Sequence, residues 1–437
     1  MAMIAAHVVF EGIRLQMILC YACYIMLGLS IVMRKMLKGK KQLTGTPSRL
    51  KRIIIGVVGS LALSAALWIP LYALPTIKLP EPTGPYAIGV ANYNWVDRNR
   101  IEPFTHDGYR EVAARIWYPA SMKWDLQRAP YAYDSQQLQE ITKEQPLYAL
   151  FGSLMSARTH SYESAIVAPD LARYPVLLMS PGYGMSSYMY TSFTEEMASH
   201  GYIVVAVEHS YFSILPAFSA AGQVRKGMVE LDPFDWPSMA ADTQNRVEDM
   251  KFALGQLERI NGADPQSILN GKLDLQRIGA FGHSGGGAVA MQLLSQDGRV
   301  SAAVQMDGFP YGQYMNNGLA KPFMYMLEPS NEAFASKSLS ESVWSDPSEY
   351  PGLLTIEDYH REAEEVSRRM KGIFKHGGTK WIVPEAHHFS FTDLTLIAPL
   401  LFPPNMALQN DIKKNLLHFF DEQFKGVSGG STVQAAG

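Results

Sequence analysis

Residues 277–294 read RIGAFGHSGGGAVAMQLL. Arg277 to Phe281 is a short apolar run that reads as a buried strand, and Gly285 to Ser295 is small and apolar at helical spacing. Between them, Gly282-His283-Ser284-Gly285-Gly286 fits the pattern G-x-S-x-G. With a strand running in and a helix running out, that pattern puts the serine on a tight, strained turn. Its hydroxyl then stands above a sheet at a helix N-terminus. The glycines two before and two after it let strand and helix approach without a Cβ clash. The expectation is a nucleophilic Ser284.

The flanking sequence repeats the same alternation. Val112–Trp117, Tyr174–Met179, Tyr202–Val207, Val300–Met306, Pro322–Leu327 and Lys380–Val383 read as short apolar strands. Ser187–His200, Asp242–Ile260, Asp358–Phe374 and Asn410–Phe424 carry apolar residues at helical intervals. Short buried strands separated by helices imply an α/β fold with a mostly parallel sheet covered on both faces. Ligands bind such sheets outside the carboxyl ends of the strands.

A hydroxyl of ordinary pKa needs a base. Ten histidines lie beyond residue 80. In this architecture the histidine follows the last strand, which brings forward His387 and His388, just after Trp381–Pro384. His283 is expected to pack under the turn, and His209, at a strand end, to line the site. Two places compete for the acid. Glu328, with Glu332 close by, follows the strand two beyond that of the serine. Asp307 follows the neighbouring strand, in a tight loop, Met306–Pro310, suited to a carboxylate held by backbone N–H groups. For an oxyanion, Gly285 N–H is one expected donor. Tyr183 N–H, in the loop Ser180-Pro181-Gly182-Tyr183-Gly184, is the other. Tyr211, Phe212, Trp236 and Phe309 lie near strand ends and are candidates for an apolar substrate pocket.

The domain resembles the platelet-activating-factor acetylhydrolases of the plasma type (group VII phospholipase A2), which are α/β-hydrolases. Gly84–Gly89 is similar to that family's opening strand, and Ala198–His209 to the segment after its oxyanion loop. Gly282-His283-Ser284 resembles its nucleophile turn, and Asp307 with Phe309 and Pro310 its acid loop. His388, then Phe391 and Asp393, resembles its histidine loop. The resemblance covers nearly all of residues 84–425. It implies a triad of Ser284, His388 and Asp307, with His388 favoured over His387 and Asp307 over the glutamates. Ser180-Pro181-Gly182-Tyr183 instead resembles the loop of cutinase-like polyester hydrolases, a neighbouring group. The implied activity is hydrolysis of a carboxylic ester, a short-chain acyl ester of a phospholipid or similar lipid, with no metal or other cofactor. A cutinase-like polyesterase or another carboxylesterase would keep the triad and change the pocket. A non-catalytic receptor or adhesion module on the same fold would be expected to have lost the serine, the histidine or the oxyanion glycines, and all are present.

The chain has 437 residues, 47% hydrophobic and 18% charged, which excludes a disordered or low-complexity protein. A net charge of −3 gives no sign of a nucleic-acid partner. Two cysteines, Cys20 and Cys23, exclude a disulfide framework or a cysteine-built zinc site. Residues 1–80 hold ten Lys/Arg against the single acid Glu11, leaving 28 basic and 40 acidic residues for the rest. Within 1–80, residues 15–33 and 53–76 are free of charge, and each is long enough for a hydrocarbon core of about 30 Å. Arg34–Arg52 between them carries eight basic residues. This pattern leads to an expected membrane module of two transmembrane helices (residues 1–80) and a hydrolase domain over 81–425 on the extracytoplasmic side of the cell membrane. A disordered tail, 426–437, is expected to follow.

Overall fold

The computed structural model describes residues 77–121, 126–132, 157–213, 232–336, 355–399 and 401–427, with a few residues between 20 and 64. The described strands are β1 (Ala87–Ile101), β2 (Tyr109–Ala120), β3 (Arg128–Pro130), β4 (Arg158–Glu163) and β5 (Tyr174–Ser180). They continue as β6 (Ile203–His209), β7 (Leu273–His283), β8 (Val300–Met306), β9 (Phe323–Leu327) and β10 (Thr379–Ile382). The helices used below are α1 (Thr191–Ser199), α2 (Trp236–Gly262), α3 (Gly285–Gln296), α4 (Pro329–Ser336), α5 (Ile356–Ile373) and α6 (Met406–Phe424).

The strands form one sheet in the order β10-β9-β8-β7-β5-β6-β2-β1-β4-β3. From β10 to β6 every pairing is parallel, and β2 runs antiparallel to both β6 and β1. This is an α/β-hydrolase-like fold. Side-chain alternation along β7 shows how the sheet is covered. Ile278 and Ala280 enter a core with Val247, Met250 and Leu254 of α2 and Val289 and Leu293 of α3. The alternate residue Phe281 meets Phe420 of α6 at 6.3 Å between ring centres. Strands buried on both faces are continuous apolar runs, which is why they were legible as such. Helix starts carry side-chain caps: Asp235 accepts from Ser238 N–H, Thr355 from Asp358 N–H and Asn405 from Leu408 N–H.

The chain divides into two compact units. One comprises residues 1–78, 130–157 and 396–403; the other comprises 79–129, 158–395 and 404–437 and contains the site.

The expectation of a multi-pass membrane protein with an extracytoplasmic catalytic domain is corrected here. Among the described residues, no helix is long and apolar enough to cross a membrane. Crossing a hydrocarbon core of about 30 Å takes about 20 apolar residues in one helix. Of the expected membrane module and tail, residues 15–19, 24, 27, 29–53 (the basic loop 34–52 among them), 55–56, 65–76 and 428–437 lie outside the described residues.

Candidate active site

β7 ends where the sheet's strands carry their carboxyl ends, and α3 starts one residue later. Ser284 occupies the turn, with φ 55° and ψ −128°. A serine there is strained by about 1–3 kcal/mol. The surroundings hold it: Ser284 N–H donates to Met306 O at 2.9 Å, and the Ser284 carbonyl accepts from Gly287 N–H at 3.0 Å. A Cβ on Gly282 would collide with the Gly286 backbone, and one on Gly286 with the Ser180 and Pro181 carbonyls. Gly286→Ala is therefore expected to lose about 1–3 kcal/mol of stability, read as an earlier midpoint in urea unfolding. A wild-type midpoint would show that the turn relaxes freely.

Asp307 follows β8, fully buried and itself at positive φ (48°). Its Oδ2 lies 2.7 Å from His388 Nδ1 and accepts from Asn331 Nδ2 at 3.0 Å. Its Oδ1 accepts from Glu328 N–H at 2.9 Å. His388 opens a short 3-10 turn, His388–Phe391, after β10. The loop carrying it returns from the sheet edge across the ends of β9 and β8. It is tied down at its far end, where Asp393 N–H donates to Met189 O at 2.6 Å and the Asp393 carboxylate accepts from the N–H and hydroxyl of Ser192. His388, rather than its neighbour His387, meets the buried carboxylate. The two glutamate side chains take other hydrogen-bond partners. Glu328 accepts from Ser330 and Asn331 N–H at the start of α4, and Glu332 pairs with Lys380. Burial, and then the charge of Asp307, push the Glu328 carboxyl up.

His283 does lie beneath the turn, fully buried. Burial, and then the nearby His388, lower its pKa well below the ordinary value, so it is neutral. Its Nε2 sits 2.8 Å from the His388 carbonyl, which can only accept, so Nε2 carries the proton. Nδ1 then accepts from the Tyr190 hydroxyl at 2.9 Å. That hydroxyl in turn accepts from Gly182 N–H at 3.0 Å. One imidazole thus links the loop of His388 to the loop after β5.

Ser284 and His388 line one cavity of about 540 Å³. Phe309, Phe234, Tyr311 and Phe389 form much of its apolar wall, and Glu328, Asn331 and His387 supply polar edges. Of the other expected pocket residues, Trp236 stands behind the wall. Its ring is 5.4 Å from that of Tyr311 and 4.2 Å from the Arg369 guanidinium, and its Nε1 donates to Glu362. Tyr211 and Phe212 follow β6 and pack on Phe104, at 5.8 and 4.9 Å. Tyr183 lies 6.3 Å from the Phe212 ring. Gly285 is the first residue of α3, where an amide N–H has no partner within its own helix. His209 is 2% exposed and lies in a buried polar cluster.

Tyr190, Asn331 and Asp393 are contacts that sequence reasoning did not assign. Asn331 lies 24 residues beyond the carboxylate it serves and Asp393 lies 201 beyond Ser192. No local motif marks Asn331, and the pattern of His388, Phe391 and Asp393 named Asp393 without its partner.

A family model described as "Platelet-activating factor acetylhydrolase, isoform II" matches residues 72–418. The platelet-activating factor acetylhydrolase of Cavia porcellus is 24% identical over 293 residues, covering 61% of this chain and 63% of that protein. A protein of Arthroderma benhamiae named "Probable 1-alkyl-2-acetylglycerophosphocholine esterase" is 31% identical over 156 residues, covering 35% of this chain and 36% of its own. The chain therefore spans less than two thirds of the length of these relatives. Among solved structures, a ferulic acid esterase from Streptomyces cinnamoneus superposes with a TM-score of 0.60 at 24% identity, over 83% of this chain and 99% of that one. That likeness is one of fold.

Proposed function

The chain belongs to the platelet-activating factor acetylhydrolase, isoform II, family, and from that premise we propose that it hydrolyses carboxylic esters through Ser284, His388 and Asp307. The observation that carries the proposal is the 2.7 Å contact between Asp307 and His388 Nδ1, beside a cavity shared by His388 and the strained Ser284. With Nδ1–H bound to the carboxylate, Nε2 is left as the base. Ser284 Oγ forms a bond to the acyl carbon as its proton passes to His388 Nε2. The carbonyl oxygen becomes an oxyanion, held by the N–H groups of Gly285 and Tyr183. Its collapse breaks the bond to the alcohol oxygen, which leaves with the proton from His388. Water then attacks the acyl-enzyme, gives a proton to His388, and the carboxylic acid departs as Ser284 regains its hydrogen.

The proposed substrate is a short-chain acyl ester of a phospholipid. The names of the relatives support the lipid class. The aromatic wall of Phe234, Phe309, Tyr311 and Phe389 supports an apolar group beside the reacting carbon. A fluorophosphonate is expected to add once to the folded protein, at Ser284, as read by peptide mass spectrometry. Phosphatidylcholines with an acetyl group at the second position are expected to turn over faster than those with long chains there. A folded protein that takes no label, or takes it elsewhere, refutes the nucleophile. A preference for long chains refutes the substrate.

A further inference from the structure

Beside the site lies a second line of serine, histidine and aspartate. His209 Nε2 is 3.0 Å from Ser180 Oγ, and His209 Nδ1 is 2.9 Å from Asp249 Oδ2. Ser180 and Asp249 are fully buried and His209 is 2% exposed. A serine without access to substrate is no nucleophile, so the line needs another role.

Its protons can be assigned. Burial opposes the charge of Asp249, but Arg110, at 2.6 and 3.0 Å, and the hydrogen bond from His209 overcome it and hold the carboxyl far below its usual range. Asp249 is thus a carboxylate and only accepts. Burial brings His209 down to about 4 despite that partner, so the imidazole is neutral near pH 7. Its one proton is on Nδ1, facing Asp249, and Nε2 accepts. The Ser180 hydroxyl must therefore donate to Nε2, which fixes its direction.

Ser180 is the last residue of β5, opposite Gly282 in the register with β7. The carbonyls of Ser180 and Pro181 lie where a Gly286 side chain would stand. The following loop is held at both ends by similar ties. Gly182 N–H donates to Tyr190, Gly184 N–H donates to Phe212 O at 2.7 Å, and Arg246 reaches the Pro181 carbonyl at 3.4 Å. Phe212 is only three residues after His209, so the end of β6 grips this loop twice.

We propose that His209, oriented by Asp249, is a positioning residue: through Ser180 it sets the loop Pro181–Tyr183 so that the Tyr183 N–H meets the oxyanion. The proposal rests on the ester-hydrolase reading above. It predicts that the cluster acts on the transition state more than on bound substrate, because the oxyanion exists only there.

The test uses the full chain, a nitrophenyl acetate assay and a trifluoromethyl ketone, whose adduct with Ser284 carries an oxyanion. Ser180→Ala is expected to lower kcat about tenfold, a fraction of what loss of a whole donor costs. KM should stay within about twofold, and ketone affinity should weaken about as much as kcat. His209→Gln keeps an acceptor at the Nε2 position and is expected to retain more activity than His209→Asn, which keeps only the side facing Asp249. Ser180→Ala with wild-type kcat and ketone affinity, even at a lower melting temperature, overturns the proposal. If Ser180→Ala does not fold, equal kcat for the two His209 variants overturns it instead. The hydrolase reading fails separately, by the absence of fluorophosphonate labelling at Ser284 in wild type.

Discussion

Ser284→Ala is expected to reduce ester turnover by about 10⁶-fold, to the residual rate that binding and oxyanion donors alone sustain. The loss falls on kcat, since Oγ forms a bond to the acyl carbon and alanine offers none. Folding should be spared. The Ser284 contacts that shape the turn are made by its backbone, through Met306 O and Gly287 N–H. Removing Oγ leaves those bonds in place, so near-native circular dichroism and melting are expected beside the lost rate. Activity within tenfold of wild type in a folded Ser284→Ala protein would end the assignment of the nucleophile.

Asp307→Asn is expected to cost about 10⁴-fold in kcat. The buried carboxylate accepts from His388 Nδ1, Asn331 Nδ2 and Glu328 N–H, with no donor of its own. An amide in its place presents an NH₂ to one of these donors. The ring then favours the tautomer with its proton on Nε2, and it can no longer take the proton of Ser284. Glu328→Gln, compared in the same assay, is expected to stay within about tenfold, since the Glu328 side chain accepts from Ser330 and Asn331 N–H instead. Glu332→Gln breaks only the pair with Lys380. A large loss in Glu328→Gln with Asp307→Asn still active would transfer the acid's role to the later strand.

The sequence reading of the N-terminal region went astray for a definite reason. The charge-free runs 15–33 and 53–76 measure side-chain composition, whereas a span is a property of an apolar helix about 20 residues long. Among the described residues there is none. Strand β1 was read only at its start, in Gly84–Gly89, for a different reason. Its 15 residues mix Asn, Asp and Arg with apolar ones, and its outer half is partly exposed, so no continuous apolar run announces it.

The turn around Ser284 was determined locally. Glycines at 282 and 286 are needed because backbones there touch, and a strand and a helix of readable composition flank them. Val300–Met306 likewise coincides with β8, because a strand buried on both faces can contain little else. The tertiary structure alone decided which groups meet. Asp307 and His388 are 81 residues apart, and which of two adjacent histidines turns toward the carboxylate depends on the path of a loop anchored at Asp393 to Ser192. The proton on His283, the neutral state of His209 and the clamp on Ser180 depend on burial and on partners up to 105 residues away. Local sequence fixes backbone conformation and apolar pattern over a few residues. Hydrogen-bond direction and charge state depend on which distant polar groups share the same desolvated space, and only the folded chain brings them together.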